Sequence, residues 1–322
     1  MGARKRFVVV GAGMMGTNHA RVVAQSESAE LAVLVDPRSD VGTRLAEQHG
    51  ASWAPELPSL DGIDGVIVAA ATEAHHELAM QVLAAGVPLL IEKPIAAGIE
   101  HSREVVATAE ANDIPLMCGL LERFNPAVLT ARSFIETPIH ISAIRHSPYA
   151  PRIRTGVAWD LLVHDVDLAI VFAGGVPETV SSTLGHFHPS SLADAEDVAE
   201  TILGFDTGAI AHISASRMGQ KKIRQVSVSE RERLIEIDLL RRDVTVYRHV
   251  SEDLVAGAHR GYRQQTVIEI PEMVTSVEPL TAQFAHFCGI IDGSIDAGKE
   301  RRSLLPAHEV IAKVLDSAPA MA

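Results

Sequence analysis

The stretch Arg6-Phe-Val-Val-Val-Gly-Ala-Gly-Met-Met-Gly16 determines the fold of the N-terminal half. The apolar residues Phe7 to Val10 are followed directly by three glycines in the pattern Gly-x-Gly-x-x-Gly. A helix is predicted after them, over Thr17 to Gln25. In such a strand, turn and helix, Gly11 permits the tight turn, Gly13 lets the backbone approach a pyrophosphate, and Gly16 lets the helix pack close to the strand. The helix N-terminus adds free N–H groups and the positive end of its dipole. The stretch therefore predicts a dinucleotide-binding turn.

An acidic residue follows at the distance that this turn requires. Asp36 lies 20 residues after Gly16, at the end of a second apolar run over Leu31 to Val35. A carboxylate there accepts hydrogen bonds from the adenosine ribose and opposes a 2′-phosphate, which favours NAD over NADP. Arg38 weakens this preference for NAD, because an arginine there can accommodate the 2′-phosphate of NADP. Alternatively, Asp36 and Pro37 only end the strand.

The composition limits the class of protein. A chain of 322 residues is long enough for two domains, and its net charge of −13 argues against a nucleic acid or an anionic membrane as partner. The two cysteines, Cys118 and Cys288, exclude a disulfide framework, and no apolar stretch reaches the ~18–20 residues of a membrane helix. His186 and His188 offer two metal ligands without an evident third. We expect a cytoplasmic protein without a metal site.

Strand and helix signals alternate as far as residue 122. The predicted strands after the first two are Gly65 to Ala71, Val87 to Ile91 and Pro115 to Gly119, and the helices between them are Val41 to His49, Glu77 to Ala85 and Ser102 to Asn112, with a loop over Thr72 to His76. This alternation predicts a Rossmann domain over 1–122, a doubly wound parallel sheet that binds ligands beyond the carboxyl ends of its strands. Polar residues follow several of these ends, namely Thr72, Glu92, Lys93, Glu122 and Arg123.

The second half has a different pattern. After a helix over Ala127 to Glu136, apolar and polar residues alternate in runs such as Ile139 to Arg145, Ala209 to Ala215 and Leu234 to Asp238. Period-two runs are typical of an antiparallel sheet with one covered face. We therefore predict an α+β domain over 123–322 with a mostly antiparallel, open-faced sheet. Its C-terminal helix can pack back on the first domain.

Two segments carry most of the chemistry. In Trp159-Asp-Leu-Leu-Val-His164-Asp-Val-Asp167, helical spacing places Asp160 and His164 on one face, with Asp167 close to it. A carboxylate beside an imidazole suits acid–base work near neutral pH, although a buried, hydrogen-bonded histidine has the same pattern. Lys93 follows a buried strand and precedes Pro94, so a stiff turn holds it. By position alone, a surface lysine at a strand end is the favoured interpretation.

Three motifs in this order resemble the Gfo/Idh/MocA family of NAD(P)-dependent oxidoreductases. They are the glycine turn ending at Gly16, Glu92-Lys-Pro94, and Asp160 to Asp167. The resemblance implies catalysis by Lys93, Asp160 and His164, and oligomers formed through the C-terminal sheet. One departure is the loop Ala71-Thr-Glu-Ala-His75, which lacks the proline common in the family. The implied cofactor contacts are Gly11, Gly13, Met14, Met15, Gly16, Asp36, Arg38, Ala70, Thr72, His75, Glu92, Lys93 and Asn125.

The substrate is suggested by a narrower resemblance. Glu122 to Val128, Pro148 to Arg154 and Val157-x-x-Asp160 are similar to UDP-N-acetylglucosamine 3-dehydrogenases. Arg152 and Arg154 can bind an anionic group such as a diphosphate, or can be solvated loop residues. The substrate contacts that follow from this interpretation are Lys93, Arg123, Tyr149, Arg152, Arg154, Asp160 and His164.

We therefore expect a homodimeric or homotetrameric NAD-dependent dehydrogenase that oxidises a secondary alcohol of a sugar. A nucleotide sugar such as UDP-N-acetylglucosamine, oxidised at C3, is the first candidate substrate. Either Lys93 or His164 is the final base. The alternatives are an inositol or simple sugar dehydrogenase and a non-enzymatic NAD-binding sensor, for which the set Lys93, Asp160 and His164 would have no use.

Overall fold

The computed structural model describes residues 4–151, 153–256 and 259–317. The first of two units comprises Met1–Leu121 and Glu278–Glu309, and the second comprises Glu122–Val277 and Val310–Ala322. The first segment of the first unit ends at Leu121, one residue before the end of the predicted domain over 1–122. Unlike the predicted second domain, which runs to residue 322, the second unit does not include Glu278–Glu309.

The elements follow in chain order. The helices are α1 (Met14–Gln25), α2 (Ser39–Gln48), α3 (Thr72–Ala84), α4 (Ile99–Ala111), α5 (Pro126–Arg132), α6 (Val163–Ala173), α7 (Pro279–Ile291), α8 (Ala297–Arg302) and α9 (Leu305–Ser317). The strands are β1 (Lys5–Val10), β2 (Ala29–Val35), β3 (Ser52–Ala54), β4 (Gly65–Val68), β5 (Leu89–Ile91), β6 (Leu116–Cys118), β7 (His140–His146), β8 (Pro177–Gly185), β9 (Val198–Phe205), β10 (Ile210–Ser216), β11 (Ile223–Ser229), β12 (Leu234–Asp238), β13 (Asp243–Ala256) and β14 (His259–Glu269).

The first unit contains a six-stranded parallel sheet in the order β3-β2-β1-β4-β5-β6. This is the order of a doubly wound dinucleotide-binding sheet, so the predicted fold class is confirmed. The chain leaves β1 toward β2 on one side and returns to β4 on the other. The carboxyl ends of β1 and β4 therefore flank the crevice in which such sheets bind ligands.

Glycines make the close contacts at this crevice. Gly11 has φ +102°, and a Cβ there would lie 2.5 Å from the carbonyl oxygen of Ala69, just after β4. Gly11 also donates its N–H to the Val35 carbonyl at 2.7 Å. A Cβ on Gly16 would lie 1.8 Å from the Gly11 carbonyl oxygen. The start of α1 is thus pressed against the end of β1, as the sequence predicts.

The C-terminal segment completes the core of this unit. Phe7 on β1 is fully buried, and its ring meets Phe284 on α7 edge-on at a centroid distance of 5.0 Å. Phe287, one turn further along α7, lies 6.1 Å from the same ring. These contacts explain physically why Glu278–Glu309 belongs to the first unit.

The second unit contains an eight-stranded sheet in the order β14-β13-β12-β11-β7-β10-β9-β8. Only β7 and β10 run parallel, so the prediction of a mostly antiparallel sheet is confirmed. On β7, Ile141, Ala143 and Arg145 are buried on one face, against which α6 packs. Ser142 and Ile144 on the opposite face are only partly covered.

Several predicted boundaries were wrong. The predicted loop over Thr72 to His76 is the first turn of α3. The sequence patterns also missed β3, β8 and α8. The strand β8 is an edge strand with many polar residues, and β3 consists only of Ser52, Trp53 and Ala54, so neither carries an aliphatic run. In the part of the chain that the structure describes, no helix is long and apolar enough to cross a membrane.

A methyl group at Gly16 is expected to destabilise the first unit. Gly16→Ala should lower the free energy of unfolding by about 1–3 kcal/mol, because the new Cβ meets backbone and not a flexible side chain. Urea unfolding measures the loss. Gly13→Ala is the matched control, since the surrounding space is open, and equal losses in both variants would contradict the packing role of Gly16.

Candidate active site

Open space surrounds the turn where a pyrophosphate is expected. Gly13 immediately precedes α1, and a Cβ placed on it would meet no described atom within 4 Å. The first turn of α1 contains no acidic residue, and Met14 and Met15 begin the helix. The N–H groups of a first helical turn have no partner inside the helix, so they are available to phosphate oxygens. The turn therefore fits the pyrophosphate of NAD.

Asp36 is held firmly at the end of β2. Its carboxylate accepts hydrogen bonds from the backbone N–H of Ala12 at 2.7 Å and from that of Arg38 at 2.9 Å. The Arg38 guanidinium also donates to both carboxylate oxygens, each at 2.9 Å. The hydrogen bond from Arg38 lowers the pKa of Asp36 to about 2, against the opposing effect of burial. Asp36 is thus negative at neutral pH, which suits a ribose diol and opposes a 2′-phosphate. The structure pairs Arg38 with this carboxylate.

The remaining first-unit candidates follow β4 and β5. Ala70 and Thr72 lie after β4, at the start of α3, and Glu92 and Lys93 come directly after β5. Because all six strands are parallel, these positions share one edge of the sheet with Gly11 and Asp36. His75 is buried, and its ring nitrogens face the carbonyls of Pro94 at 2.8 Å and Ala70 at 3.2 Å. The structure thus brings together the predicted residues of this unit.

In the second unit, Asp160 and His164 lie on two different kinds of helix. Asp160 belongs to a π-helical turn, Ala158–Leu162, and His164 to the first turn of α6. The prediction that Asp160 and His164 share one face rests on α-helical spacing, and the π turn changes that spacing. Such single turns are frequent at functional sites.

A buried carboxylate fixes the start of this π turn. Glu196 accepts the N–H of Ala158 at 2.6 Å, and its carbonyl accepts that of Val157 at 3.0 Å. A Cβ on Gly156 would lie 2.1 Å from the Glu196 carboxylate, so a larger residue there would displace this side chain. Burial raises the pKa of Glu196 above its usual value. Glu196 was not among the predicted site residues.

Two arginines hold α6 beside His164. The buried Arg145 on β7 binds both oxygens of Asp165, at 2.7 and 2.8 Å, and reaches Glu122 at 2.8 Å. Burial opposes the charge of Arg145, but the two carboxylates outweigh this effect and raise its pKa. Arg123 binds Asp167 in the same two-pronged way, with its Nε at 2.8 Å. Ion pairs thus fix the residues that follow His164.

Two predicted site residues also have structural contacts, and their binding roles stay predictions. Arg123 was predicted to bind substrate, and its guanidinium pairs with Asp167. Asn125 was predicted to bind the cofactor, but its Oδ1 caps α5 by accepting the Ala127 N–H, and its Nδ2 donates to the Leu239 carbonyl at 3.1 Å. Asparagine before proline is a helix-start signal, so the sequence could have shown this capping role.

The predicted substrate residues Tyr149 and Arg154 line a cavity of about 210 Å³. Tyr149 stacks on His188 with a centroid distance of 3.4 Å and donates its hydroxyl to the Ser190 carbonyl at 2.9 Å. Arg217, which the sequence analysis missed, also lines this cavity, and it donates to the Thr155 carbonyl. Arg152 lies outside the described residues.

The described residues contain no group of three or more side chains that could hold a metal ion. The glycine turn, the ribose carboxylate and the strand order define a nicotinamide-dinucleotide-binding class of protein. Comparison with known families gives the same class. Residues 5–120 match the oxidoreductase family with an NAD-binding Rossmann fold, and residues 129–231 match the GFO/IDH/MocA C-terminal domain. The chain belongs to the Gfo/Idh/MocA family, and it is an NAD-binding sugar oxidoreductase.

Individual relatives agree with this membership. The chain is 27% identical to the UDP-N-acetylglucosamine 3-dehydrogenase of Acidithiobacillus ferrooxidans over 81% of its length and 82% of that protein. It is 27% identical to an inositol 2-dehydrogenase of Rhizobium meliloti, covering 66% of this chain and 68% of that one. The fold matches a structure of the Acidithiobacillus enzyme at 23% identity, with a TM-score of 0.82 and coverage of 98% and 100%.

Removing the charge of Asp36 should weaken the discrimination between the cofactors. Asp36→Asn keeps an acceptor for the Ala12 N–H but no longer repels a 2′-phosphate. We expect the ratio of kcat/KM for NAD to that for NADP to fall roughly tenfold, corresponding to about 1.4 kcal/mol. Steady-state kinetics with both cofactors measure it. An unchanged ratio would show that the charge of Asp36 does not discriminate between the ribose of NAD and the 2′-phosphate of NADP.

Removing Arg145 should destabilise the second unit strongly. Arg145→Met leaves Asp165 and Glu122 without their buried partner, and the expected loss is about 3–5 kcal/mol in the free energy of unfolding. Urea unfolding followed by circular dichroism measures this loss. Arg103→Met, which breaks only exposed pairs with Glu100 and Glu309, is the control. Similar unfolding midpoints for the two variants would show that the ion pairs of Arg145 do not stabilise the second unit.

Proposed function

We propose that this oxidoreductase is an NAD-dependent dehydrogenase of nucleotide sugars, with UDP-N-acetylglucosamine oxidised at C3 as the first candidate reaction. NAD, when bound, accepts the hydride from the carbinol carbon. The protein removes the hydroxyl proton and holds the reacting oxygen, and the product is a ketone. The two electrons of the C–H bond leave with the hydride, and the proton leaves with a protein base, so the step balances.

Lys93 is the residue that carries the proposal. It follows β5 directly, at the same sheet edge as the pyrophosphate turn and the ribose carboxylate. A lysine at this edge supplies a positive charge for an alkoxide that develops on the substrate. We assign it the hydrogen bond to the reacting oxygen.

We assign His164 and Asp160 to proton transfer. An imidazole can accept a proton at neutral pH, and a carboxylate partner orients the ring and stabilises its charged form. The ion pairs of Asp165 and Asp167 with Arg145 and Arg123 support this role, because they restrain the helix turn that carries His164.

Two observations favour a nucleotide sugar. One is the similarity to the UDP-N-acetylglucosamine 3-dehydrogenase over most of both chains. The other is the cavity between Tyr149, Arg154 and Arg217, where guanidinium groups suit the oxygens of a diphosphate. An inositol or a simple sugar is the second candidate substrate, because inositol dehydrogenases match with nearly the same identity.

We further propose that the protein forms homodimers or homotetramers through the open face of its eight-stranded sheet. Ile202 and Ile210 are 52% and 50% exposed on β9 and β10. A second copy of the sheet would cover them. Size-exclusion chromatography with light scattering distinguishes this arrangement from a monomer.

A substrate panel tests the function. The purified protein and NAD are mixed with nucleotide sugars, inositols and free sugars, and NADH formation is followed by absorbance. We expect turnover with UDP-N-acetylglucosamine and tight binding of UDP alone. Turnover of inositols without UDP binding would favour the second candidate. NAD binding without turnover of any substrate would favour a sensor.

Replacing His164 with alanine separates catalysis from cofactor binding. We expect His164→Ala to lower kcat by ~10²–10⁴-fold while the Kd for NAD changes by less than about threefold, because general acid–base catalysis contributes on this scale. His101→Ala, at an exposed histidine of α4, is the control. Near-normal turnover by His164→Ala would contradict the assignment.

A further inference from the structure

Three buried histidines fasten the short turn that carries Lys93. The turn runs from Glu92 to Ile95, and His19, His75 and His308 contact it from α1, α3 and α9. Their exposed fractions are 1%, 1% and 0%. Fully buried histidines are uncommon enough that three around one turn call for a physical explanation.

His308 has a defined protonation pattern. Its Nε2 faces the N–H of Ile95 at 3.2 Å, and its Nδ1 faces the Leu304 carbonyl at 2.8 Å. An N–H can only donate and a carbonyl can only accept, so Nδ1 carries the proton and Nε2 is the acceptor. This neutral tautomer satisfies a backbone donor two residues after Lys93. Without it, the buried Ile95 N–H would lose its hydrogen bond.

His75 ties the same turn to the end of β4. Its Nδ1 lies 2.8 Å from the Pro94 carbonyl, and its Nε2 lies 3.2 Å from the Ala70 carbonyl. Ala70 follows Ala69, against whose carbonyl Gly11 is packed. Both partners are carbonyls, which only accept, so an imidazole with a single N–H donates to one of them, and the shorter contact is that from Nδ1 to Pro94. The ring therefore binds the residue after Lys93 and lies against the Ala70 carbonyl at the strand end beside the dinucleotide crevice.

His19 acts on the other side of Lys93, through Glu92. The Nε2 of His19 lies 2.8 Å from Glu92 Oε1, and Glu92 Oε2 accepts the N–H of Lys93 at 3.3 Å. Gly119 leaves room for this carboxylate, since a Cβ there would lie 2.6 Å from Oε2. His19 is on α1, the helix whose first turn is expected to bind the pyrophosphate. The backbone of Lys93 is thus linked to that helix.

We propose that His308, His75 and the His19–Glu92 pair are positioning residues that set the place of Lys93 relative to the bound cofactor. The inference rests on the proposed function, in which Lys93 contacts the reacting oxygen. These side chains hold the backbone before and after Lys93 against the two elements that seat the dinucleotide. A displacement of about 1 Å at a reacting group can cost ~10²-fold in rate, so such fastening has a direct effect on turnover.

The test compares two replacements of His308. His308→Gln keeps a carbonyl oxygen that can accept the Ile95 N–H, whereas His308→Leu fills similar space without an acceptor. We expect His308→Leu to lower kcat ~10–100-fold with the Kd for NAD within about twofold, and His308→Gln to recover most of the loss. With substrate deuterated at the reacting carbon, the isotope effect on kcat should rise in His308→Leu, because hydride transfer becomes slower.

A role in packing alone predicts a different outcome. His308→Leu would then lower the unfolding midpoint but leave kcat per folded enzyme and the isotope effect unchanged, which would overturn the proposal. Equal kcat values for the leucine and glutamine variants, both well below wild type, would also overturn it. If His308→Leu does not fold, His75→Asn and His75→Ala give the same comparison, because asparagine keeps a donor for the Pro94 carbonyl.

Two further variants complete the design. His76 is the partly exposed neighbour of His75 and pairs with Glu104. The variant His76→Gln should therefore behave as wild type. Lys93→Met tests the proposed function separately. Activity in Lys93→Met would refute the role of Lys93 itself, whereas an inactive Lys93→Met with a fully active His308→Leu would refute only the positioning.

Discussion

The first unit depends on a contact that no side chain can enter. Gly16 lies so close to the Gly11 carbonyl that a Cβ would overlap it at 1.8 Å. The start of α1 is therefore fixed against the end of β1, and the space around the preceding Gly13 is open. Gly11 is in turn packed against Ala69 at the end of β4. These contacts bring the carboxyl ends of β1 and β4 and the start of α1 together at the crevice.

Buried charge has the corresponding role in the second unit. Arg145 and Arg123 bind Asp165 and Asp167, and Glu196 holds the backbone at the start of the π turn. A buried ion pair contributes little net stability, because desolvation offsets most of its attraction. Its geometry is nevertheless demanding, since an unpaired charge there is costly. These pairs therefore restrain the helix that carries His164 more than they strengthen the fold.

Local patterns made much of the fold predictable. The glycine turn, Asp36 and the alternating strands depend on neighbours in sequence, and the structure places them as expected. The π turn at Asp160 and the edge strand β8 have no such signature. The engagement of Arg123 by Asp167 joins residues 44 positions apart, and that of Ile95 by His308 spans 213. Spacing along the chain cannot reveal contacts of this kind, so the sequence identified Lys93 but not the histidines around its turn.

We expect this chain to transfer a hydride from a sugar carbon to NAD. The transfer is tested most directly with UDP-N-acetylglucosamine that carries deuterium at C3. The protein is incubated with this substrate and NAD, and the reduced cofactor is analysed by mass spectrometry. We expect one deuterium in the reduced nicotinamide and a ketone at C3 of the sugar. Reduced cofactor without deuterium, or no reduced cofactor although both ligands bind, would contradict it.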